Sequence, residues 1–186
     1  MTLLTRRDVV KLGAMGVFVF EVDGAEQLLT PSEARAQGAR LSVLTDAETI
    51  TLETLGETLL PGAAAAGLAP FVDAQLRAEP KDSLLLLRYL DVPPPYASFY
   101  QTGLASLDRV SLATHGQAFV ALTQARRREV VGGLRQANPS GWQGAPAPVF
   151  YVALRGDAVD VVYGTPQGAA LLGVPYMSHV RPPRPW

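Results

Sequence analysis

The stretch Leu44-Thr45-Asp46-Ala47-Glu48, which runs on through residues 49–59 to Leu60-Pro61-Gly62, has the sequence of a helix with both ends marked. The Thr45 hydroxyl can accept a hydrogen bond from the Glu48 amide while the Glu48 carboxylate reaches back, which is a capping box. Behind this box apolar residues recur mostly at spacings of three and four, and Pro61-Gly62 ends the run. The stretch therefore predicts an amphipathic helix.

Helical spacing continues along most of the remaining chain. It predicts further helices over residues 69–77, 83–90, 96–113 and about 123–135. Residues 148–162 alternate in places like a strand, but their length and the spacing of the apolar positions favour a helix. The fold class predicted for this chain is all-α, a compact multi-helix single domain with an irregular Pro/Gly-rich C-terminal arm over residues 164–186.

Composition limits the classes of function. The chain has 186 residues, of which 48% are hydrophobic and 18% charged, which is typical of one folded domain. Its formal net charge of −1 leaves no basic surface for nucleic acid. Cysteine is absent, which excludes disulfides and cysteine-ligated zinc or iron–sulfur sites.

Sequence motifs for catalysis are also absent. There is no glycine motif for a dinucleotide, no phosphate loop and no G-x-S-x-G elbow. The histidines His115 and His179 lie far apart, and the pair Asp157 and Asp160 is typical of a solvated helix face. We therefore expect no catalytic residue, no cofactor-binding residue and no metal ligand in this chain.

The N-terminal residues have the pattern of a twin-arginine export signal. Arg6 and Arg7 form the pair, Lys11 follows after an aspartate and two apolar residues, and a short apolar run covers residues 12–20. This run is shorter than the roughly 20 residues that a membrane-spanning helix needs. The sequence thus predicts export in the folded state to the periplasm.

A cleavage site is predicted in the same region. Ala34-Arg35-Ala36 has the small-residue pattern that precedes a cut, here before Gln37. This divides the chain into a leader, residues 1–36, and a helical domain, residues 37–186. The acidic residues Glu21, Asp23 and Glu26 depart from the pattern of such leaders, and the alternative is an N-terminal anchoring or docking helix that is never removed.

The order of these features resembles the gluconate 2-dehydrogenase subunit 3 family. The similarity begins with the leader and the Leu44–Pro61 segment and continues through most of the chain. The later segments that carry it are Gly67-Leu68-Ala69-Pro70-Phe71-Val72-Asp73, residues 100–108 (YQTGLASLD), residues 119–123 (FVALT), residues 149–155 and Tyr163-Gly164.

The resemblance implies a small, cofactor-free subunit of a membrane-associated periplasmic dehydrogenase complex. It implies that the large subunit is an FAD-dependent oxidoreductase of the glucose–methanol–choline type, which oxidises a sugar, a sugar acid or an alcohol. It also implies a third subunit, a cytochrome c with haem c, and export of the flavoprotein together with this chain. No catalytic residue is carried over from the family.

Aromatic and basic side chains near loops are the candidate partner interface, because they combine an apolar body with a polar tip. Two alternatives stay open. One is a stand-alone periplasmic helical ligand-binding domain or enzyme with a pocket near Arg155 and Asp157, and the other is an escort of a molybdenum-cofactor oxidoreductase. The candidate interface residues are Tyr96, Trp142, Arg155, Tyr163, Tyr176 and Trp186.

Overall fold

A computed structural model of the protein describes residues 16–175. In this range the fold is mainly helical, which confirms the predicted fold class. The export-signal residues Arg6, Arg7 and Lys11, and the interface candidates Tyr176 and Trp186, lie outside the described residues.

The described chain begins with a β-hairpin and a short helix. Strands β1 (Phe18–Val22) and β2 (Ala25–Leu29) pair antiparallel, with Phe18 opposite Leu29, and α1 (Pro31–Ala36) follows directly. The turn is Asp23-Gly24, and both residues have positive φ, as a two-residue hairpin turn requires. We call residues 18–36 the N-terminal clasp.

The long helices form the body of the domain. They are α2 (Asp46–Leu59), α3 (Leu68–Arg77), α4 (Ala97–His115), α5 (Gln124–Leu134) and α6 (Ala147–Tyr163). Thr45 and Glu48 make the reciprocal capping bonds expected of them, at 3.3 and 2.8 Å. Residues 148–162 are helical, as their length and apolar spacing indicated.

Helix α6 is the centre of the body. It packs against α2, α3, α4 and α5, and Ala153, Leu154 and Ala158 on it are fully buried. A helix that is apolar on most of its circumference is expected in such a central position. Glycines permit the close approaches, since Gly103 on α4 lies directly against the Phe150 ring of α6.

Two predicted boundaries differ from the structure. Residues 83–90 do not form a full helix, because only Leu86–Tyr89 makes a single 3₁₀ turn. The C-terminal arm is not irregular throughout, since α7 (Pro166–Leu171) begins there with the Thr165 hydroxyl accepting from the Gly168 amide at 3.0 Å.

The predicted boundary after residue 36 does not coincide with a boundary in the fold. The N-terminal clasp has its own small core, and Phe18 joins this core to the main one by an edge-on contact with Phe71, 5.9 Å between ring centroids. Within residues 16–175 no helix is long and apolar enough to cross a membrane.

Candidate partner-binding surface

One buried polar cluster between distant elements is centred on Asp157 of α6. Its carboxylate accepts a hydrogen bond from the Tyr100 hydroxyl at 2.6 Å and one from the Leu86 amide at 3.2 Å. Asp157 and Tyr100 are both fully buried. One side chain thus ties together α4, α6 and the 3₁₀ turn.

Burial changes the protonation of this cluster. Removal from water raises the pKa of Asp157 to about 7, although the bonds from Tyr100 and Leu86 act in the opposite direction and nearby Asp160 adds to the rise. Burial and the Asp157 carboxylate together hold the pKa of Tyr100 well above its ordinary value. The cluster therefore contains one carboxyl group that titrates near neutral pH.

The cluster is structural, because no solvent reaches it. Asp157 was expected on a solvated helix face, and this expectation is wrong: its i,i+3 partner Asp160 faces outward, but Asp157 points into the core. Arg155 is exposed on another side of α6. Because Asp157 is fully buried, its carboxylate cannot line the ligand pocket predicted near Arg155 and Asp157.

Polar side chains of the segment over residues 100–108 form hydrogen bonds with other parts of the fold. Ser106 accepts from the Gln143 amide at 3.1 Å and lies 3.0 Å from the Gln143 carbonyl oxygen. Asp108 accepts from the Phe119 amide at 2.8 Å. Both bonds connect α4 to loops distant in sequence, so this segment holds the fold together and does not form a reactive site.

An open groove lies between α1, α2 and the segment after α1. Its volume is about 510 Å³, and it is lined by charges of both signs. Arg35 donates to Glu53 through Nε at 2.8 Å and through Nη2 at 3.3 Å. Since this arginine is already paired, the groove offers no free cation from Arg35 for an anionic ligand.

The predicted interface residues fall into different environments. Tyr96 has only 9% of its surface exposed and packs into the main core, so it cannot serve as the partner contact expected of it. Trp142 is half-buried, with its ring 5.5 Å from Phe150 and its Nε1 donating to the Ala145 carbonyl at 2.7 Å. Tyr163 is half-buried, and Arg155 is exposed.

Exposed apolar side chains on α6 were not singled out from the sequence. Val152 and Val159 are 46% and 38% exposed, and their spacing of seven places them on one helix face with Arg155 between them. Their spacing of seven in the predicted helix is the signal for a common face, but exposure itself depends on how the other helices pack. We call Val152, Arg155 and Val159 the α6 face.

More exposed apolar residues lie on elements that contact α6. The 3₁₀ turn packs on it through Leu86, which lies against Gly156, and α7 packs on its C-terminal end. Arg88 covers the exposed Tyr89 ring at 5.6 Å. Large apolar side chains exposed on these two neighbouring elements and the residues beside them are Leu84, Tyr89, Leu171, Leu172 and Val174.

No catalytic or metal-binding arrangement is seen in the described part of the chain. No group of three or more histidine, aspartate or glutamate residues there could hold a metal ion. His115 ends α4 with its Nε2 3.8 Å from a Glu129 carboxylate oxygen, a pairing of two surface elements.

Comparison with models of known protein families gives a match. A family model described as gluconate 2-dehydrogenase subunit 3 matches residues 46–178, which cover α2 to α7. No curated protein and no solved structure matches the chain.

Proposed function

The chain belongs to the gluconate 2-dehydrogenase subunit 3 family, and from this premise we propose that it is the non-catalytic small subunit of a periplasmic dehydrogenase complex. Membership makes it an accessory subunit of a dehydrogenase. The family match is the observation that carries the proposal. The buried, solvent-free Asp157 cluster agrees with a role in which this chain supplies structure rather than chemistry.

We propose further that the chain carries the export signal for a partner loaded with cofactor. The pair Arg6 and Arg7 with Lys11 has the pattern of a route that exports folded proteins. The proposed partner is an FAD-dependent large subunit of the glucose–methanol–choline type that oxidises a sugar, a sugar acid or an alcohol. A cytochrome c subunit is the proposed electron acceptor, so that FAD and haem c belong to partners and not to this chain.

The α6 face is the proposed contact with the large subunit. Apolar side chains around an arginine are the composition that favours protein–protein contact, because arginine and large apolar groups dominate binding energy. The 3₁₀ turn and α7, which both contact α6, carry further exposed apolar side chains. The half-buried Trp142 and Tyr163 stay candidate interface residues, whereas the buried Tyr96 does not.

Changing the arginine pair tests the export role. In the variant Arg6→Lys/Arg7→Lys, both this chain and the flavoprotein are expected to stay in the cytoplasm, because the transport machinery reads the pair. Dehydrogenase activity and both proteins are measured in periplasmic and cytoplasmic fractions. The matched control Arg126→Lys/Arg128→Lys changes two exposed arginines in α5 and is expected to export normally.

One outcome of this experiment would contradict the escort role. If the Arg6→Lys/Arg7→Lys cells keep their normal periplasmic dehydrogenase activity, this chain does not escort the enzyme. Flavin absorbance and molybdenum analysis of the co-purified partner distinguish the flavoprotein from the molybdenum-cofactor alternative. A chain that is purified alone and oxidises a sugar or alcohol would instead support the stand-alone enzyme.

Charges on the α6 face test the contact surface. Val152→Asp/Val159→Asp is expected to lower recovery of the large subunit with a tagged chain by about tenfold or more, because truncating or charging a central contact costs about 2 kcal/mol or more. Leu112→Asp is the matched control, since Leu112 is 54% exposed on α4 and away from this face. Equal loss of the partner in both variants, or in neither, would contradict this assignment of the surface.

A further inference from the structure

The N-terminal clasp packs around a small apolar core of its own. Phe20 and Ala34 are almost completely buried, and Val22 and Leu29 complete the small core with them. Arg77 of α3 donates to the Val19 carbonyl at 3.2 Å, and the Arg40 amide donates to the Glu21 carbonyl at 2.8 Å. Residues 18–36 are therefore joined to the domain by the Phe18–Phe71 ring contact and by hydrogen bonds that the Val19 and Glu21 carbonyls accept.

Helix α1 packs against the body of the domain at Gly67. This glycine has φ +88°, and a Cβ atom on it would collide with the Pro31 carbonyl group and lie 2.7 Å from the Ser32 nitrogen. Backbone therefore lies directly on backbone, an approach that only glycine permits. One turn further along α1, the Arg35 guanidinium is paired with Glu53 at 2.8 Å.

The predicted cut before Gln37 falls at the end of this helix. Ala34 has 0% of its surface exposed, and its carbonyl accepts from the Ala39 amide at 2.8 Å. The Gln37 amide itself donates to the Glu33 carbonyl at 2.9 Å. The chain on both sides of the Ala36–Gln37 bond is thus engaged in main-chain bonds of the folded domain.

A protease needs exposed and locally unfolded chain around the bond that it cuts. The small residue two positions before Ala36 is Ala34, and the folded domain hides it completely. Export in the folded state would present the site to a signal-removing protease in this closed form. Cutting there would also remove the small core and leave Gly67 and Phe71 without their partners.

From this geometry we infer that the Ala36–Gln37 bond is not a processing site of the folded protein and that the N-terminal clasp is a permanent part of the mature subunit. The part of this inference that concerns processing after transport rests on the proposed export in the folded state. The packing of the clasp itself can be tested on the full chain in solution.

The first experiment identifies the mature N-terminus. The full chain with a C-terminal tag is produced with its export partner, recovered from the periplasm, and examined by intact mass and N-terminal sequencing. A mature chain that contains residues 16–36 is expected. A chain that begins at Gln37 would overturn the inference, whereas a chain found only in the cytoplasm would overturn the export proposal and leave the decision to the second experiment.

The second experiment measures tryptic cleavage at Arg35, next to the predicted cut, in the purified full chain. The folded chain is expected to be cut there far more slowly than the same chain in urea. Gly67→Ala is expected to raise the rate by about tenfold or more, since a collision of this kind opens the contact and cleavage follows the open fraction.

Gly62→Ala is the matched control for the second experiment. Gly62 has φ +93° but no atom within 4 Å of a Cβ, so this substitution has the same backbone strain without the collision. Its cleavage rate at Arg35 is expected to stay within about twofold of the parent rate. The inference would be overturned if the parent chain were cut as fast when folded as in urea, or if the two glycine variants were cut at equal rates. Either result would show that α1 does not pack against Gly67.

Discussion

The parent protein is expected to lose stability as the pH rises from about 4 to about 7, and Asp157→Asn is expected to abolish this loss. The carboxyl has its ordinary pKa, 3.8, in the unfolded chain and a pKa of about 7 in the folded one. Between these values the folded state binds the proton more tightly than the unfolded state. The contribution of Asp157 to stability is therefore fully present below pH 3.8 and lost as the pH rises through 7.

The expected size follows from the two pKa values. A rise from 3.8 to about 7, at about 1.36 kcal/mol for each pKa unit, corresponds to a loss on the order of 4 kcal/mol above neutral pH. Asparagine cannot ionise, yet its oxygen can still accept from Tyr100 and Leu86. At pH 4.5 Asp157→Asn is expected to be less stable than the parent by about 1 kcal/mol, and at pH 8.5 more stable by about 2 kcal/mol.

Urea denaturation of the purified chain at a series of pH values measures this effect. Asp82→Asn is the matched control, because it makes the same chemical change at an exposed loop position and should leave the pH dependence of the parent unchanged. Parallel stability curves for the parent and Asp157→Asn across the pH range would contradict the assignment of the titration to Asp157.

Gly103→Ala is expected to destabilise the protein by about 1–3 kcal/mol, because the new methyl group would overlap the Phe150 ring at the crossing of α4 and α6. Even Cζ, the farthest of the three nearest ring atoms, would be 2.9 Å from the Cβ. The ring cannot move aside easily, since Phe99 and Trp142 pack on it at 5.7 and 5.5 Å. This overlap outweighs the gain of about 0.5–1 kcal/mol from replacing glycine within a helix.

Gly132→Ala is the control and is expected to have the opposite sign. Gly132 lies within α5, is exposed, and has no atom within 4 Å of a Cβ. Only the gain in helix propensity remains there, so the variant should be more stable by up to about 1 kcal/mol. Two glycine-to-alanine changes of the same sign in thermal or urea unfolding would contradict the close helix crossing.

The helices could be predicted from the sequence because their ends and faces are local signals. Thr45 with Glu48 marks one start, Thr123 caps α5 by accepting from the Arg126 amide at 3.4 Å, and Gly116 ends α4 in a left-handed conformation. Periodicity then assigns the buried face of each helix. Residues 148–162 were assigned correctly because a run of this length is too long for an ordinary strand.

The elements that could not be predicted depend on partners distant in sequence. Residues 83–90 have helical spacing, but the Leu84 amide donates to the Gln75 side chain at 2.8 Å and the Leu86 amide to Asp157 at 3.2 Å. Both acceptors lie outside the segment, so its conformation depends on contacts that local spacing does not contain. The burial of Asp157 likewise depends on Tyr100, 57 residues away.

The hairpin of the N-terminal clasp, in contrast, left a local signal that the export interpretation obscured. Asp23-Gly24 is a favoured two-residue turn, and a run of valine and phenylalanine over residues 17–20, residue types that favour strands, lies shortly before it. The same acidic residues that depart from a typical leader occupy the turn and the exposed side of the strands. The candidate contact surface was only partly predictable, because exposure of Val152 and Val159 depends on where the other helices pack.

Asp73 has a consequence for the order of events as the chain is synthesised. Its buried carboxylate accepts from the amides of residues 42–44 at 2.8 to 3.2 Å, and these residues leave the ribosome about thirty positions before it. Until α3 has been synthesised and has folded, the Asp73 carboxylate cannot accept from those three amides and α1 cannot pack against Gly67. The contacts that residues 42–44 make with Asp73 and that α1 makes with Gly67 therefore form only after the middle of the chain has been synthesised.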